Sequence, residues 1–158
     1  MSELNYRIVA GGPEHGKAMV TLLPLLASFE IPARRAPEHL WHGDRDMIEE
    51  WLTGDRPQSF ARVALDEHNA LLGFAFVTMR EELLSHAPSA HLEVLIVGEH
   101  ARRMNLGEAL TSAAEAEAAS RGAQTMTLHV FGNNRRARPL YAKLGYDEEL
   151  LRCIKYLD

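Results

Sequence analysis

Residues 91–109 read HLEVLIVGEHARRMNLGEA. The first seven form a short run whose centre, Val94-Leu95-Ile96-Val97, is apolar on both faces, a pattern that predicts a central strand covered from both sides. A turn follows. From Asn105 to Arg121 the chain is rich in alanine and glutamate, with Leu106, Ala109, Leu110, Ala113 and Ala116 on one stripe, which predicts a helix closed by Gly122. A buried strand that turns straight into a helix leaves the first helical N–H groups, and the positive end of the helix dipole, at the strand's carboxyl end. That is an anion site, and phosphates are its usual occupants. Gly107 lets a ligand approach the backbone closely, and Arg102 and Arg103 add charge-assisted donors at the mouth. The same residues also read as a solvated loop ahead of an ordinary helix.

Upstream of this unit, residues 6–10 read as a first strand ended by Gly11-Gly12. Residues 13–29 carry apolar positions at helical spacing, with Pro13 suited to a helix start and Pro24 set to kink or shorten the helix. A loop with two prolines and the pair Arg34-Arg35 leads to a second amphipathic helix bearing Leu40, Met47, Ile48, Trp51 and Leu52, ending near Gly54. Residues 59–65 and 71–79 predict an antiparallel hairpin turning at Asp66-Glu67-His68-Asn69. After the central helix, residues 126–131 predict a strand. A short helix reaches about Leu144 with Gly145 as its cap, and residues 150–157 predict a last strand. The order predicts an α/β sandwich around a mixed sheet.

The chain has 158 residues, 46% of them hydrophobic and 25% charged. At roughly 100–200 residues per domain this predicts one domain over residues 1–158, with an ordinary globular core rather than disorder. Seventeen Lys and Arg against 22 Asp and Glu leave a formal net charge of −5, which disfavours nucleic acid held by bulk charge. One cysteine, Cys153, excludes an internal disulfide and a cysteine-only zinc site. No apolar run approaches the ~20 residues of a membrane-spanning helix, and residues 1–6 are polar rather than signal-like. The expectation is a cytoplasmic protein with no membrane or nucleic-acid partner.

A second stretch carries further information. Residues 128–146 read LHVFGNNRRARPLYAKLGY. Together with Val97, Arg102, Asn105 and Gly107, it resembles the GNAT superfamily of N-acetyltransferases. That family's first motif is a strand ending in valine followed by R-x-x-G-x-G/A opening a helix. Its second motif is matched here by Asn134, Ala137, Leu140-Tyr141 and Lys143-Leu144-Gly145-Tyr146. The element order over residues 6–157 fits as well. The resemblance implies a mixed, mostly antiparallel central sheet flanked by about four helices, with a splayed parallel strand pair in the middle. One position departs from the pattern: Asn105 stands where the first glycine of the phosphate loop is expected. Asparagine tolerates a left-handed backbone, so the loop keeps its shape while gaining a side chain near the phosphate. Pro139 lies within the short helix and removes one N–H there.

The resemblance implies acetyl-CoA as co-substrate, lying between the strands that end at Val97 and Phe131, and no metal. The pantetheine arm would bond the backbone of Leu95, Ile96 and Val97. The pyrophosphate would sit on the N–H groups of Arg102, Arg103, Met104, Asn105, Leu106, Gly107 and Glu108, with Asn134 on the pantetheine side. An N–H near Val97 would polarise the thioester carbonyl. Tyr141 matches the family's general acid for the departing thiolate, or packs on the cofactor. For the base, Glu93 lies four residues before Val97, and the period-two rule puts it on the face of Leu95 and Val97. A carboxylate in a central strand is costly unless paired or functional. His129, on the neighbouring strand, is a second candidate.

Weaker features surround these. His39 and His42 are spaced for a metal but have no third ligand. Arg34 and Arg35 border the acceptor side and suit a carboxylate-bearing acceptor or simple solvation. Arg135, Arg136 and Arg138 either meet the CoA 3′-phosphate or solvate a helix face. The implied activity is acetyl transfer from acetyl-CoA to a primary amine in a ternary complex. The alternative is a catalytically silent acyl-CoA-binding regulatory module. The resemblance also implies a homodimer.

Overall fold

The computed structural model describes residues 5–158; the polar start at residues 1–4 lies outside the described residues. Five strands form one sheet in the order β1 (Arg7–Ala10), β2 (Ser59–Leu65), β3 (Leu71–Glu81), β4 (Pro88–Val97) and β5 (Thr125–Leu128). The first three pairings are antiparallel and β4–β5 is parallel. Among the described residues four α-helices flank the sheet: α1 (Gly16–Leu22), α2 (His42–Leu52), α3 (Leu106–Ser120) and α4 (Ala137–Lys143). The architecture is the mixed, mostly antiparallel one that the motifs imply.

The sheet divides two cores. On one face α3 lays Leu106, Leu110, Ala114 and Ala118 against Ala75, Val77, Ala90 and Leu92. On the other, α1, the turn that follows it and α2 lay Met19, Leu23 and Ile48, in that order, against Val63, Phe74, Phe76, Val94 and Ile96. Burial on both faces is the reason β3 and β4 read as continuous apolar runs. Pro24 does end α1, and the chain continues as a 3-10 turn over Leu23–Ala27. The hairpin turn is closed by the Asp66 carboxylate, which accepts from the N–H groups of His68 and Ala70 at 2.8 and 2.9 Å.

Two expected strands come out differently. β5 stops at Leu128 rather than running to Phe131, because pairing with β4 ends at Leu92–Leu128. Residues 150–157 form no strand: they have no backbone partner among the described residues, and β5 stands at the end of the sheet.

Candidate functional site

The site begins where β4 and β5 part. From Glu93 to Val97, β4 has no β5 partner. Gly98 N–H donates to the Leu72 carbonyl at 2.7 Å, and the alternation of an antiparallel ladder then directs the peptide groups of Ile96 and Val94 to β3 and those of Leu95 and Val97 to the gap. A Cβ on Gly73 would lie 2.5 Å from the Ile96 carbonyl oxygen, which points the same way. The expectation for Ile96 is corrected accordingly, since its backbone is committed to β3. Leu95 and Val97 alone among the three present polar backbone to the gap.

A 3-10 turn over Glu99–Met104 carries the chain from β4 to α3. Asn105 follows at φ 57°, ψ 27°, in the left-handed region that its residue type tolerates. The loop therefore has the backbone shape that glycine would give. Asn105 makes no side-chain cap, and the N–H groups of Leu106, Gly107 and Glu108 have no intrahelical acceptor. The Leu106 side chain is fully buried and Met104 packs on the same core, so both contribute backbone only. Arg102 donates to the Ser28 hydroxyl at 3.2 Å. Arg103 lies in the 3-10 turn. Gly107 has a second role: a Cβ there would meet Leu140 Cδ2 of α4 at 3.2 Å. The Glu108 carboxylate accepts from Lys143 of α4 at 2.9 Å.

α4 meets the start of α3 through Leu140 and Lys143. Pro139 sits in its first turn, where the missing N–H costs nothing. The Asn134 side-chain oxygen accepts from Ala137 N–H at 3.2 Å, so that oxygen helps start the helix. Tyr141 packs against the α3-side core and edge-on to Tyr146, with ring centroids 5.9 Å apart. Burial pushes its phenol up to about 12, so it holds its proton at neutral pH.

Glu93 lies on a β-bulge. Phe76 pairs with Val94 and Val77 with Leu92, which leaves Glu93 without a register partner. The extra residue reverses the alternation: Ala90 and Leu92 face α3, whereas Val94 and Ile96 face α1 and α2. Glu93 continues the face of Ser89 and His91, toward α2, and Leu95 and Val97 pack on the α3 side. The period-two expectation that grouped Glu93 with Leu95 and Val97 is overturned by this bulge. Burial raises the Glu93 carboxyl, opposed by the Arg80 charge, the Thr78 hydroxyl, Arg56 and His129. Arg80 Nη1 is 4.0 Å from Glu93 Oε1.

Sequence reading missed Asp44, in the first turn of α2. Burial, then the Glu93 charge, push its carboxyl up to about 7, with His42 opposing. A signal was present: Asp44 lies three and four residues before Met47 and Ile48, on the buried stripe of α2. His91 Nδ1 is 2.7 Å from the Thr127 hydroxyl. Burial, Arg80 and His129 push His91 down to about 4, which keeps it neutral. His129 is exposed, its ring 4.8 Å from that of His91.

The remaining candidates have local duties. His39 Nδ1 accepts from Ala36 N–H at 3.0 Å, and His42 Nδ1 lies 2.6 Å from the Glu38 carbonyl. Arg138 pairs with Glu148, while Arg135 and Arg136 are exposed. Arg34 pairs with Asp158, far along the chain. The loop before it reaches the gap: Phe29 packs on Phe131 at 5.7 Å between centroids, and Asn133 donates to the Glu30 carbonyl at 2.5 Å.

Comparison with known proteins agrees with this arrangement. Residues 25–146 match the Acetyltransferase (GNAT) family. An uncharacterized N-acetyltransferase of Bacillus subtilis, YhfO, is 34% identical over 84 residues, which is 53% of this chain and 56% of that protein. The chain thus matches little more than half the length of that relative. A protein of Pyrococcus furiosus described as an acetyl transferase has a similar fold, with TM-score 0.80 and 24% identity over 97% of this chain and 100% of its own. The aminoglycoside N-acetyltransferase AAC(6')-Iy, solved in complex with CoA, gives TM-score 0.74 and 19% identity over 99% of this chain and 97% of its own.

Proposed function

Because the chain belongs to the acetyltransferase (GNAT) family, we propose that it moves an acetyl group from acetyl-CoA to a primary amine by direct transfer in a ternary complex. The observation that carries this reading is the parting of β4 from β5 beside the uncapped start of α3. The residues present fit the co-substrate. Leu95 and Val97 offer strand-like peptide groups to an extended amide chain, and the N–H groups of Leu106, Gly107 and Glu108 suit a pyrophosphate. When bound, acetyl-CoA supplies the acetyl thioester.

The protein's own groups supply the rest. Glu93, raised by burial, takes a proton from the acceptor ammonium, freeing the nitrogen lone pair to form the C–N bond. The Val97 N–H, on the gap side of β4, donates to the carbonyl oxygen as charge develops there. Tyr141 would give its phenolic proton to the sulfur as the C–S bond breaks, and the second proton, shed by the attacking nitrogen as the amide forms, would return to the Tyr141 phenolate through solvent. Asp44 places a second carboxyl beside Glu93, which favours a cationic acceptor. The reading also includes a single domain, a cytoplasmic location and a homodimer, all carried by composition or family resemblance. Among the described residues no helix is long and apolar enough to cross a membrane.

Release of free CoA thiol, followed with acetyl-CoA and a panel of polyamines, aminoglycosides and alanyl peptides, tests the reading. Turnover with at least one amine is expected, and Tyr141→Phe should lower kcat about 100-fold or more while acetyl-CoA affinity stays within about twofold. Equal turnover by Tyr141→Phe would remove Tyr141 as the acid.

A further inference from the structure

The face of the sheet that carries Glu93 also carries a row of polar side chains. Ser59 of β2 is the register partner of Thr78 of β3, Thr78 of His91 of β4, and His91 of Thr127 of β5. Ser59, Thr78 and His91 are 6, 5 and 4% exposed, and Ala61, Phe76 and Val94 on the same face belong to the apolar core. Buried hydroxyls are costly unless they find hydrogen-bond partners. The row resolves into two pairs. His91 and Thr127 meet at 2.7 Å. Ser59 Oγ and Thr78 Oγ1 lie 3.0 Å apart, and this second pair is bonded at both ends. Arg56 donates from Nε to Ser59 Oγ at 3.3 Å and from Nη2 to Thr78 Oγ1 at 3.5 Å, while its Nη1 donates to Glu50 at 3.3 Å. At the other end the Thr78 hydroxyl bonds to the Glu93 carboxyl.

A guanidinium only donates, an ionised carboxylate only accepts, and each hydroxyl has a single proton. The direction of the chain of bonds follows: Arg56 donates to Ser59, Ser59 to Thr78, and Thr78 to Glu93. The Met47 thioether, 4.0 Å from Thr78 Oγ1, is a weak competing acceptor. We propose that Arg56, Ser59 and Thr78 are positioning residues, a one-way relay that aims the Glu93 carboxylate and brings the Arg56 charge to bear on it. Each bond in such a chain polarises the next, and the last is charge-assisted. Asp44 from α2, Arg80 from β3, His129 beyond β5 and His91 on the same face of β4 also surround the carboxyl. The inference rests on Glu93 as the base of the proposed reaction only for its effect on rate; the relay itself belongs to the folded chain.

Titration of the full chain carrying 13C at the glutamate side-chain carboxyls, with the Glu93 signal identified through Glu93→Gln, tests the relay without substrate. Burial raises this carboxyl, and the Thr78 bond and the Arg56 charge oppose the rise. Thr78→Val should therefore move the Glu93 midpoint up by about half a pH unit or more, roughly a threefold gain in proton affinity. Thr78→Ser keeps the hydroxyl and should restore the parent midpoint. Ser59→Ala discriminates a relay from a single bond, because the bonds of Ser59 run to Arg56 and Thr78; its midpoint should also rise, and it decides the matter if Thr78→Val fails to fold. With acetyl-CoA and whichever amine of the panel above reacts, the acid limb of kcat/KM should move up in the same variants, since the base acts ionised. An unmoved Glu93 midpoint in Ser59→Ala overturns the relay whatever the activity. Midpoints that rise while the acid limb stays in place keep the relay and remove Glu93 as the base. Midpoints that rise with no amine reacting keep the relay and count against the acetyl-transfer reading.

Discussion

In the proposed reaction three side chains would carry the chemistry, and only two of them stood out in the sequence. Tyr141 announced itself by its place in a motif. Glu93 did so as a carboxylate in an apolar strand. Asp44 did not, because its significance lies in its closeness to Glu93 across space. Its raised carboxyl has a consequence for stability. Between pH 4 and about 7 the folded chain keeps a proton on Asp44 that the unfolded chain has released. Stability from this group is therefore complete below about pH 4 and is lost as pH rises to 7. Asp44→Asn should match the parent near pH 4 and be more stable at pH 8, by on the order of 2 kcal/mol after allowing for solvent screening. Urea unfolding at the two pH values checks this; a variant less stable at pH 8 would refute it. His91 acts in the opposite sense. Its lowered value, about 4, leaves the folded ring neutral where the unfolded ring protonates. Its contribution is present above about pH 6.5 and is lost as pH falls to 4, so His91→Gln should flatten the acid side of the melting-temperature profile.

At the element scale, backbone geometry decides what side chains can do. Asn105 holds φ 57° at the entry to α3, a conformation that costs most other residues about 1–2 kcal/mol. Asn105→Gly should leave stability and acetyl-CoA binding close to the parent. Asn105→Ala should lose about 1 kcal/mol and weaken binding, as thermal melts with and without acetyl-CoA would show. Gly73 matters for the β3–β4 pair: with a Cβ 2.5 Å from the Ile96 carbonyl, Gly73→Ala must push two central strands apart. A loss of more than about 2 kcal/mol in denaturant unfolding is expected. The helices and the hairpin were legible because adjacent residues dictate them, through proline at starts, Asp66 in the turn, and Gly122 and Gly145 at positive φ after α3 and α4. The bulge at Glu93 was not legible, since it depends on how Phe76 and Val77 of the facing strand are paired.

For the whole molecule, the proposed cofactor site should act as a brace, because a ligand held there would touch β4, α3 and α4 together. Acetyl-CoA at about 100 times its dissociation constant should add ~2.7 kcal/mol to the folded state, a rise of several degrees in Tm for a chain of this size. ATP at the same concentration should not match it. A rise with ATP alone would point to a general phosphate site. The strand–turn–helix unit, the two motifs and the left-handed loop at Asn105 could be read along the chain, because periodicity and backbone preference are properties of neighbouring residues. The turn of Glu93 toward α2, the approach of Asp44, the commitment of Ile96 to β3 and the lack of a backbone partner for residues 150–157 among the described residues emerge in the folded chain. Strand register, charge coupling and edge pairing depend on distances between elements far apart in the chain, which no local pattern records.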